Sequence, residues 1–178
     1  NWHHVAVTWQ KGAVNGFKSY LDGQLVEQKN ATNTDLPSFS AGLSLGSLNG
    51  AGEFMNGSLD EVKVWNVVRT QAEIQAGQCG NLSLPQTGLL MYYQFNHGAV
   101  NGTNANVKKL TNLADPNNTY IGTLNGFALD GSTSNWVAAP TGPPIRYVKP
   151  GGTGDGSDWA NASGNLQAMI GASCVQQV

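Results

Sequence analysis

Asp60 is the residue with the clearest chemical potential, because the strand pattern around it directs a carboxylate inward. In the run LDEVKVWN, alternation places Asp60 on the same face as Val62 and Val64. A carboxylate buried there must accept several hydrogen bonds or hold a cation, since burying a bare charge is costly. The sequence therefore leaves two interpretations of Asp60: a structural acceptor that ties its strand to a neighbouring loop, or a metal ligand.

Histidine, serine and glycine-rich segments supply no recognisable catalytic pattern. His3 and His4 are neighbours in a predicted strand and point to opposite faces, so they cannot hold one ion together. His97 lies in a loop with no acid or thiol beside it in the sequence. One G-x-S-x-G spacing occurs, GLSLG at 42–46, but it lies in a predicted strand and not in the strand-to-helix turn that the hydrolase motif needs. The run GGTGDG at 151–156 lacks the Lys-Ser/Thr of a phosphate loop.

Aromatic side chains remain as candidates for ligand binding, because sugar rings stack on exposed aromatic faces while amides bind hydroxyl groups. Most of the aromatic residues in strands and loops should be in the core, where their burial stabilises the fold most. Phe39 and Phe54 lie in or beside loops and are the predicted sugar-stacking residues, with Asn49 as a nearby amide. The set considered is Tyr20, Phe39, Phe54, Tyr92, Tyr93, Tyr120, Phe127 and Trp136.

The elements that position these residues are predicted to be short antiparallel strands. Residues 2–9, WHHVAVTW, alternate as a half-buried strand does. The next two runs, FKSYL and QLVEQ, are joined by Asp22-Gly23, which suits a two-residue type I′ turn. Further strands are expected at 43–45, at 62–65 after a turn at Asn56-Gly57, in GLLMYYQF, and at 123–129.

One short helix is predicted between the strands. Thr70 and Glu73 fit a capping box, in which each side chain bonds the other residue's backbone amide. Ile74 should point inward, and Gly77 is expected to end the helix. A helix this short depends on docking against a sheet for its stability.

The domain organisation is predicted from a change in composition after residue 138. Residues 1–138 form the β-rich module, and Pro140, Pro143 and Pro144 mark a linker over 139–146. Residues 147–178 begin a different module, with one short strand, a glycine-rich loop and a helical run. We expect the chain to be a piece of a longer protein.

Composition excludes several function classes. Only 11% of the residues are charged, with 9 Lys and Arg and a formal net charge of −2, so no basic patch for nucleic acid is expected. The sequence contains no run of 18 apolar residues, the length that a membrane-spanning helix needs. The 19 Asn, 12 Ser, 12 Thr and 23 Gly residues favour turns, and Asn-Gly occurs five times. Spacing alone leaves open whether Cys79 and Cys174 pair, and it leaves the oligomeric state open.

Several of these segments together resemble a known family. The order WHHVAVTW, YLDGQLV, LSLG and GSLDEVKVWNVVRTQAEI is similar to that of laminin-G-like domains of the concanavalin A-like lectin/glucanase superfamily, which also includes pentraxins. The resemblance implies an antiparallel β-sandwich (jelly roll), here without the N-terminal strands that precede position 2 in the family. The tail YVKPGGTGDGSDWANASGNLQAMI resembles the opening of pectate-lyase-like right-handed β-helices.

The resemblance also implies where calcium or catalysis would be found. Pentraxin-type calcium sites use the loop after LSLG, and in this chain that loop offers only Asn49 and Glu53 as oxygen ligands. Together with Asp60, these residues supply fewer than the six to eight oxygen ligands that calcium prefers. Glycosidases of the superfamily carry a row of carboxylates along one strand. Asp60 and Glu61 are adjacent and face opposite sides, so no such row is present. We expect no cofactor, with calcium as an incomplete alternative.

The sequence therefore predicts a non-catalytic carbohydrate-binding or adhesion module of a secreted or surface multidomain protein of bacterial type. Its partners would be a glycan or an extracellular protein. Two alternatives remain: a structural spacer that binds nothing, and a part of a polysaccharide-degrading enzyme whose catalytic residues lie outside this chain.

Overall fold

The structure is a computed structural model that describes residues 2–32, 42–48, 52–78, 82–115, 117, 119–138, 148–154 and 159–165. The chain divides into two compact units. Unit 1 comprises Asn1–Asn33, Val68–Leu82 and Ala139–Val178, and unit 2 comprises Thr34–Val67 and Ser83–Ala138.

Unit 1 contains a three-stranded antiparallel sheet in the order β1-β2-β3. The strands are β1 (Val5–Trp9), β2 (Phe17–Leu21) and β3 (Gln24–Lys29). Thr8 lies opposite Lys18, and Tyr20 lies opposite Leu25 after a bulge in β3. This bulge shifts the register between Ser19 and Tyr20, so that Val26 of β3 has no partner residue on β2.

The face of β1 that is buried carries the polar residue Thr8, and the alternation of apolar residues alone does not predict this. Thr8 is 8% exposed, whereas Val5 and Val7 are 69% and 60% exposed. Tyr20 of β2 is buried on the same face as Thr8. The strand was predicted correctly, but neighbouring elements, and not the apolar pattern, decide which face is covered.

The hairpin between β2 and β3 has the predicted turn. Asp22 and Gly23 have φ values of 48° and 73°, both in the left-handed region that a type I′ turn requires. The carbonyl oxygen of Gly23 accepts hydrogen bonds from the side-chain amides of Gln71 and Gln75, each 3.0 Å long. These bonds attach the turn to the helix of unit 1.

The helix α1 (Gln71–Gly77) begins with the predicted capping box. Glu73 donates its amide to the Thr70 hydroxyl, and the Glu73 carboxylate accepts from the Thr70 amide at 2.8 Å. Ile74 is buried as expected. The predicted end is wrong by one residue, because Gly77 is still helical and Gln78 caps the helix in the right-handed conformation.

Unit 2 contains a two-stranded sheet formed by β4 (Val62–Trp65) and β5 (Leu89–Tyr93), in agreement with the sequence. Val62 lies opposite Tyr93 and Val64 opposite Met91, and a bulge leaves Leu90 unpaired. Val62, Met91 and Tyr93 face a core cluster that also contains Leu110, Trp136, Phe95, Val107 and Leu124.

Asn112 completes the bulged edge of β5. Its side-chain amide donates to the carbonyl oxygen of Leu90 at 2.9 Å, and its Oδ1 accepts from the amide of Tyr92 at 2.9 Å. The residue is 1% exposed, so one side chain supplies two backbone hydrogen bonds that a strand would otherwise supply.

Two predicted strands of unit 2 are shorter or missing. Residues 43–45 form no strand, and this segment has instead an isolated bridge between Leu48 and Gly52. The strand predicted at 123–129 is reduced to β7 (Gly122–Thr123), which pairs with β6 (Lys109–Leu110). Strands form only where a partner lies alongside, and a short apolar run does not reveal its partner.

The described part of the tail has bridges and no named strand. Ser163 pairs with Val148 in a parallel bridge and with Thr153 in an antiparallel one. A Cβ at Gly152 or Gly154 would overlap backbone atoms of residues 161–163, so the glycines allow the two segments to approach closely. The linker prolines, the helical run 166–170 and both cysteines lie outside the described residues.

The described residues form small antiparallel sheets and one short α-helix, which confirms the predicted all-β fold class. These elements agree with a β-sandwich. The domain boundaries at 138 and 146 stay predictions. Within the described ranges, the structure has no helix with the length and hydropathy needed to cross a membrane.

Candidate functional site

Asp60 is half-buried and lies just before β4, outside the strand in which alternation placed it. Burial raises the pKa of this carboxyl, and the hydrogen bond from the amide of Glu61 opposes that rise. The bond is 2.9 Å long and joins Asp60 to its own chain neighbour, and not to a separate loop. Asp60 is thus an acceptor that supports the start of its own strand.

Glu61 belongs to a polar network that the sequence did not reveal. Its φ of 52° is in the left-handed region, and its carboxylate accepts from the Tyr92 hydroxyl at 2.6 Å and from the Lys63 ammonium at 2.9 Å. Gln94 donates to the same Tyr92 oxygen, and Lys63 lies 5.0 Å from the Tyr92 ring centre. Tyr92 is fully buried, and this network joins β4 to β5.

The structure describes only part of the set predicted for sugar or calcium binding. Phe39 and Asn49 lie outside the described residues. Phe54 is 72% exposed and Glu53 is also exposed, with a φ of 48°. Among the residues that the structure describes, no three His, Cys, Asp or Glu side chains are grouped closely enough to hold a metal.

Unit 1 contains a cavity of about 260 Å³, which we call the strand–helix cavity. Its floor is formed by residues of the β1-β2-β3 sheet and the adjoining loop, and its wall by residues 68–71, which lead into α1. The volume is close to the lower end of the range for ligand pockets, roughly 300 Å³. The lining residues from the sheet and its loop are Thr8, Gln10, Gly16, Lys18, Tyr20 and Leu25.

Strand register explains why these side chains converge. Thr8 and Lys18 are directly opposite each other on β1 and β2, so their side chains share one face. Tyr20 lies two residues beyond Lys18 and therefore on the same face. The capping box and the bonds from Gln71 and Gln75 to Gly23 hold the wall against this sheet.

The cavity contains polar groups that lack a protein partner. Thr8 and Tyr20 are 8% and 4% exposed, and no hydrogen bond to either hydroxyl is found within the described ranges. No ion pair is found there for Lys18 either. A ligand with hydroxyl groups would supply hydrogen bonds to both side chains.

The wall contributes a second cation. The Arg69 guanidinium lies 3.3 Å from the Glu73 carboxylate, an i,i+4 pair at the start of α1. Glu73 also accepts from Thr70, and those hydrogen bonds, more than Arg69, lower the pKa of its carboxyl. Arg69 therefore has a carboxylate partner beside the cavity.

Sequence reasoning missed this cavity. Lys18 and Tyr20 were in a predicted strand, and Arg69 and Thr70 at a predicted helix start, but these segments are far apart in the chain. The signal that was present is the polar residue Thr8 within an otherwise apolar alternating run. The residues that lie opposite Thr8 on β2 could not be identified from the sequence without the strand register.

The segment that forms the cavity is also the segment that matches a family model. Residues 1–75 match the laminin G-like model of the Concanavalin A-like lectin/glucanases superfamily, which confirms the resemblance over those residues. All the residues that line the cavity lie inside the match. No curated protein and no solved structure matches the chain.

Proposed function

We propose that the chain is a non-catalytic carbohydrate-binding module and that the strand–helix cavity is its sugar site. The observation that carries the proposal is a cavity of about 260 Å³ lined by two largely buried residues, Thr8 and Tyr20, whose hydroxyls have no hydrogen-bond partner within the described residues. The match of residues 1–75 supports it, because laminin G-like domains often bind carbohydrate or act in adhesion.

The chemistry of the cavity suits one sugar ring. Hydroxyl groups of a sugar both donate and accept, as do the Thr8 and Tyr20 hydroxyls, and the side-chain amide of Gln10 offers one group of each kind. Leu25 and Val68 supply apolar surface for the carbon skeleton. Phe54 in unit 2 is a second stacking candidate, proposed from its exposure alone.

The proposed site works without calcium. No carboxylate lines the strand–helix cavity within the described residues, so the oxygen ligands that calcium prefers are lacking there. We further propose that the module acts at the cell surface or outside the cell, in a larger protein whose next domain begins near residue 147. A pectate-lyase-like β-helix at that point is part of the same proposal.

The proposal is tested by NMR titration of the full chain with a panel of neutral and acidic monosaccharides and their oligomers. Saturable shifts should appear at the backbone amides of the cavity, with and without a calcium chelator. Thr8→Val and Tyr20→Phe should weaken binding, and the controls Thr123→Val and Tyr120→Phe, both at exposed positions, should not.

Two results would contradict the proposal. Shifts confined to Glu53 and Phe54 would move the site to unit 2 and would show that the cavity is not involved. The absence of saturable shifts with every sugar would favour the alternative of a structural spacer.

A further inference from the structure

The Asn-Gly pairs of the sequence differ in how the fold treats the glycine amide. In such a pair the glycine nitrogen can attack the side-chain carbonyl carbon of the asparagine, because glycine has no Cβ to obstruct the approach. The attack needs an amide that is exposed and not hydrogen-bonded. Of the five pairs, 49–50 lies outside the described residues. The described pairs are Asn15-Gly16, Asn56-Gly57, Asn101-Gly102 and Asn125-Gly126.

Two of the described pairs are held by a hydrogen bond from the glycine amide. The Gly16 amide donates to the Ala13 carbonyl oxygen at 3.0 Å, and the Gly102 amide donates to the Ala99 carbonyl oxygen at 3.1 Å. The asparagines that precede these glycines have φ values of 53° and 55°, in the left-handed region of tight turns. A bonded amide must open before it can attack, which lowers the reactive fraction about tenfold.

The other two described pairs lack this hydrogen bond. Asn56, Gly57, Asn125 and Gly126 are all exposed. No hydrogen bond from either glycine amide is found within the described residues. Asn56-Gly57 precedes β4 and Asn125-Gly126 follows β7, so neither pair belongs to a named strand or helix.

We infer that Asn56 and Asn125 are sites of spontaneous deamidation. The fold protects Asn15 and Asn101 from the same reaction. At a reactive site the glycine nitrogen forms a bond to Cγ of the asparagine, the bond between Cγ and Nδ2 breaks, and ammonia leaves with the proton of the glycine amide. Water then opens the cyclic imide at one of its two carbonyl groups and gives aspartate or isoaspartate.

The reaction changes the charge of unit 2. Asn56 belongs to Thr34–Val67 and Asn125 to Ser83–Ala138, which together form that unit. Each event replaces a neutral amide with a carboxylate, so reaction at both sites takes the formal net charge from −2 to about −4. The only described Asn-Gly pair of unit 1 is a protected one, so the surroundings of the strand–helix cavity keep their charge. The inference is therefore independent of the proposed sugar site.

The full chain is incubated in mildly alkaline buffer at physiological temperature, and each asparagine is followed by peptide mass spectrometry. Deamidation adds about 1 Da to a peptide, and labelling by an isoaspartyl methyltransferase identifies the isoaspartate product. The two exposed sites should react about tenfold faster than the two protected ones.

Gly57→Ala is the matched variant. A Cβ at this position would first meet the side chain of Met55 at 3.6 Å, an ordinary contact, so the fold should be kept. The added methyl group should slow the reaction at Asn56 several-fold, while Asn125 keeps its parental rate as the internal control. Circular dichroism checks that the variant is folded.

The parent unfolded in urea is the second control. Without the hydrogen bonds of the fold, all four asparagines should react at similar rates. Equal rates in the folded chain, or no measurable reaction at Asn56 and Asn125, would overturn the inference. A difference that persists in urea would also overturn it, because local sequence and not the fold would then set the rates.

Discussion

Asp22 and His4 form a reciprocal pair: the Asp22 amide donates to the His4 carbonyl at 2.8 Å, and the Asp22 carboxylate accepts from the His4 amide at 2.8 Å. The second carboxylate oxygen lies 2.8 Å from Nδ1 of His3. The turn residue that sets the β2–β3 hairpin therefore also holds the segment that enters β1. Sequence reasoning treated the two histidines as ordinary strand residues and did not connect them with Asp22.

The Asp22 pair predicts a specific loss of stability in acid. The hydrogen bond from His3 is the main cause of the lowered pKa of Asp22, so the folded state favours the ionised carboxylate. This stabilisation is present above the unfolded pKa, near 3.8, and is lost as the pH falls through the lower folded pKa. The carboxylate is half exposed, so the effect is small. Melting temperatures from pH 6 to about pH 2.5 should fall less steeply for Asp22→Asn than for the parent.

The control for Asp22→Asn is Glu27→Gln, which removes an exposed carboxylate from the same sheet. It should keep the acid profile of the parent. A profile for Asp22→Asn that overlays the parent at every pH would show that the contact with His3 does not stabilise the fold.

Two tyrosine variants should have opposite effects on stability. Tyr20→Phe removes a hydroxyl that has no partner in the described residues, so the free energy of unfolding should stay constant or rise by up to about 1 kcal/mol. Tyr92→Phe removes the 2.6 Å bond to the Glu61 carboxylate and should lower it by about 2 kcal/mol. Urea denaturation of both variants measures the difference, and an equal loss in both would mean that the Tyr20 hydroxyl has a partner.

Asn112→Ala should destabilise the chain more than an ordinary surface asparagine substitution. It leaves the Leu90 carbonyl and the Tyr92 amide without their side-chain partner at the buried β5 bulge, at a cost of about 2–4 kcal/mol. Asn106→Ala is the matched control at an exposed position and should change stability by less than about 0.5 kcal/mol. Similar denaturation midpoints for the two variants would contradict the role assigned to Asn112.

Thr70→Ala should reveal how far the capping box supports the cavity wall. The lost cap costs about 1 kcal/mol of stability, and Thr70→Ser, which keeps the hydroxyl, should recover most of it. Because residues 68–71 line the cavity, sugar affinity should fall with the alanine variant and persist with the serine variant. A stable alanine variant with parental affinity would show that the wall is held by other contacts.

The parts of the fold predicted correctly are those decided by residues close together in the chain. The turn at Asp22-Gly23 depends on two backbone conformations, and the cap depends on Thr70 and Glu73. The strands at 43–45 and 123–129 were wrong or too long, because an apolar run becomes a strand only when another segment supplies hydrogen bonds to it.

The candidate site was predicted less well than the fold. Asp60 precedes β4, separated from it by Glu61 with its φ of 52°, so strand alternation does not extend to it, and its partner is the adjacent amide of Glu61. The calcium set Asn49, Glu53 and Asp60, and the stacking residues Phe39 and Phe54, stay predictions. Lys18 and Arg69 received no role, because nothing local marks two cations of separate segments as neighbours.

The sequence by itself determined where this chain turns, where its helix begins and that its elements are mainly strands, since these follow from preferences within a few residues. Only the tertiary structure decided that Thr8 and Tyr20 are covered while Val5 and Val7 face water, and that residues 68–71 close a cavity over them. The reason is that burial depends on which distant segment packs on a strand, and strand alternation specifies two faces without specifying which one is covered.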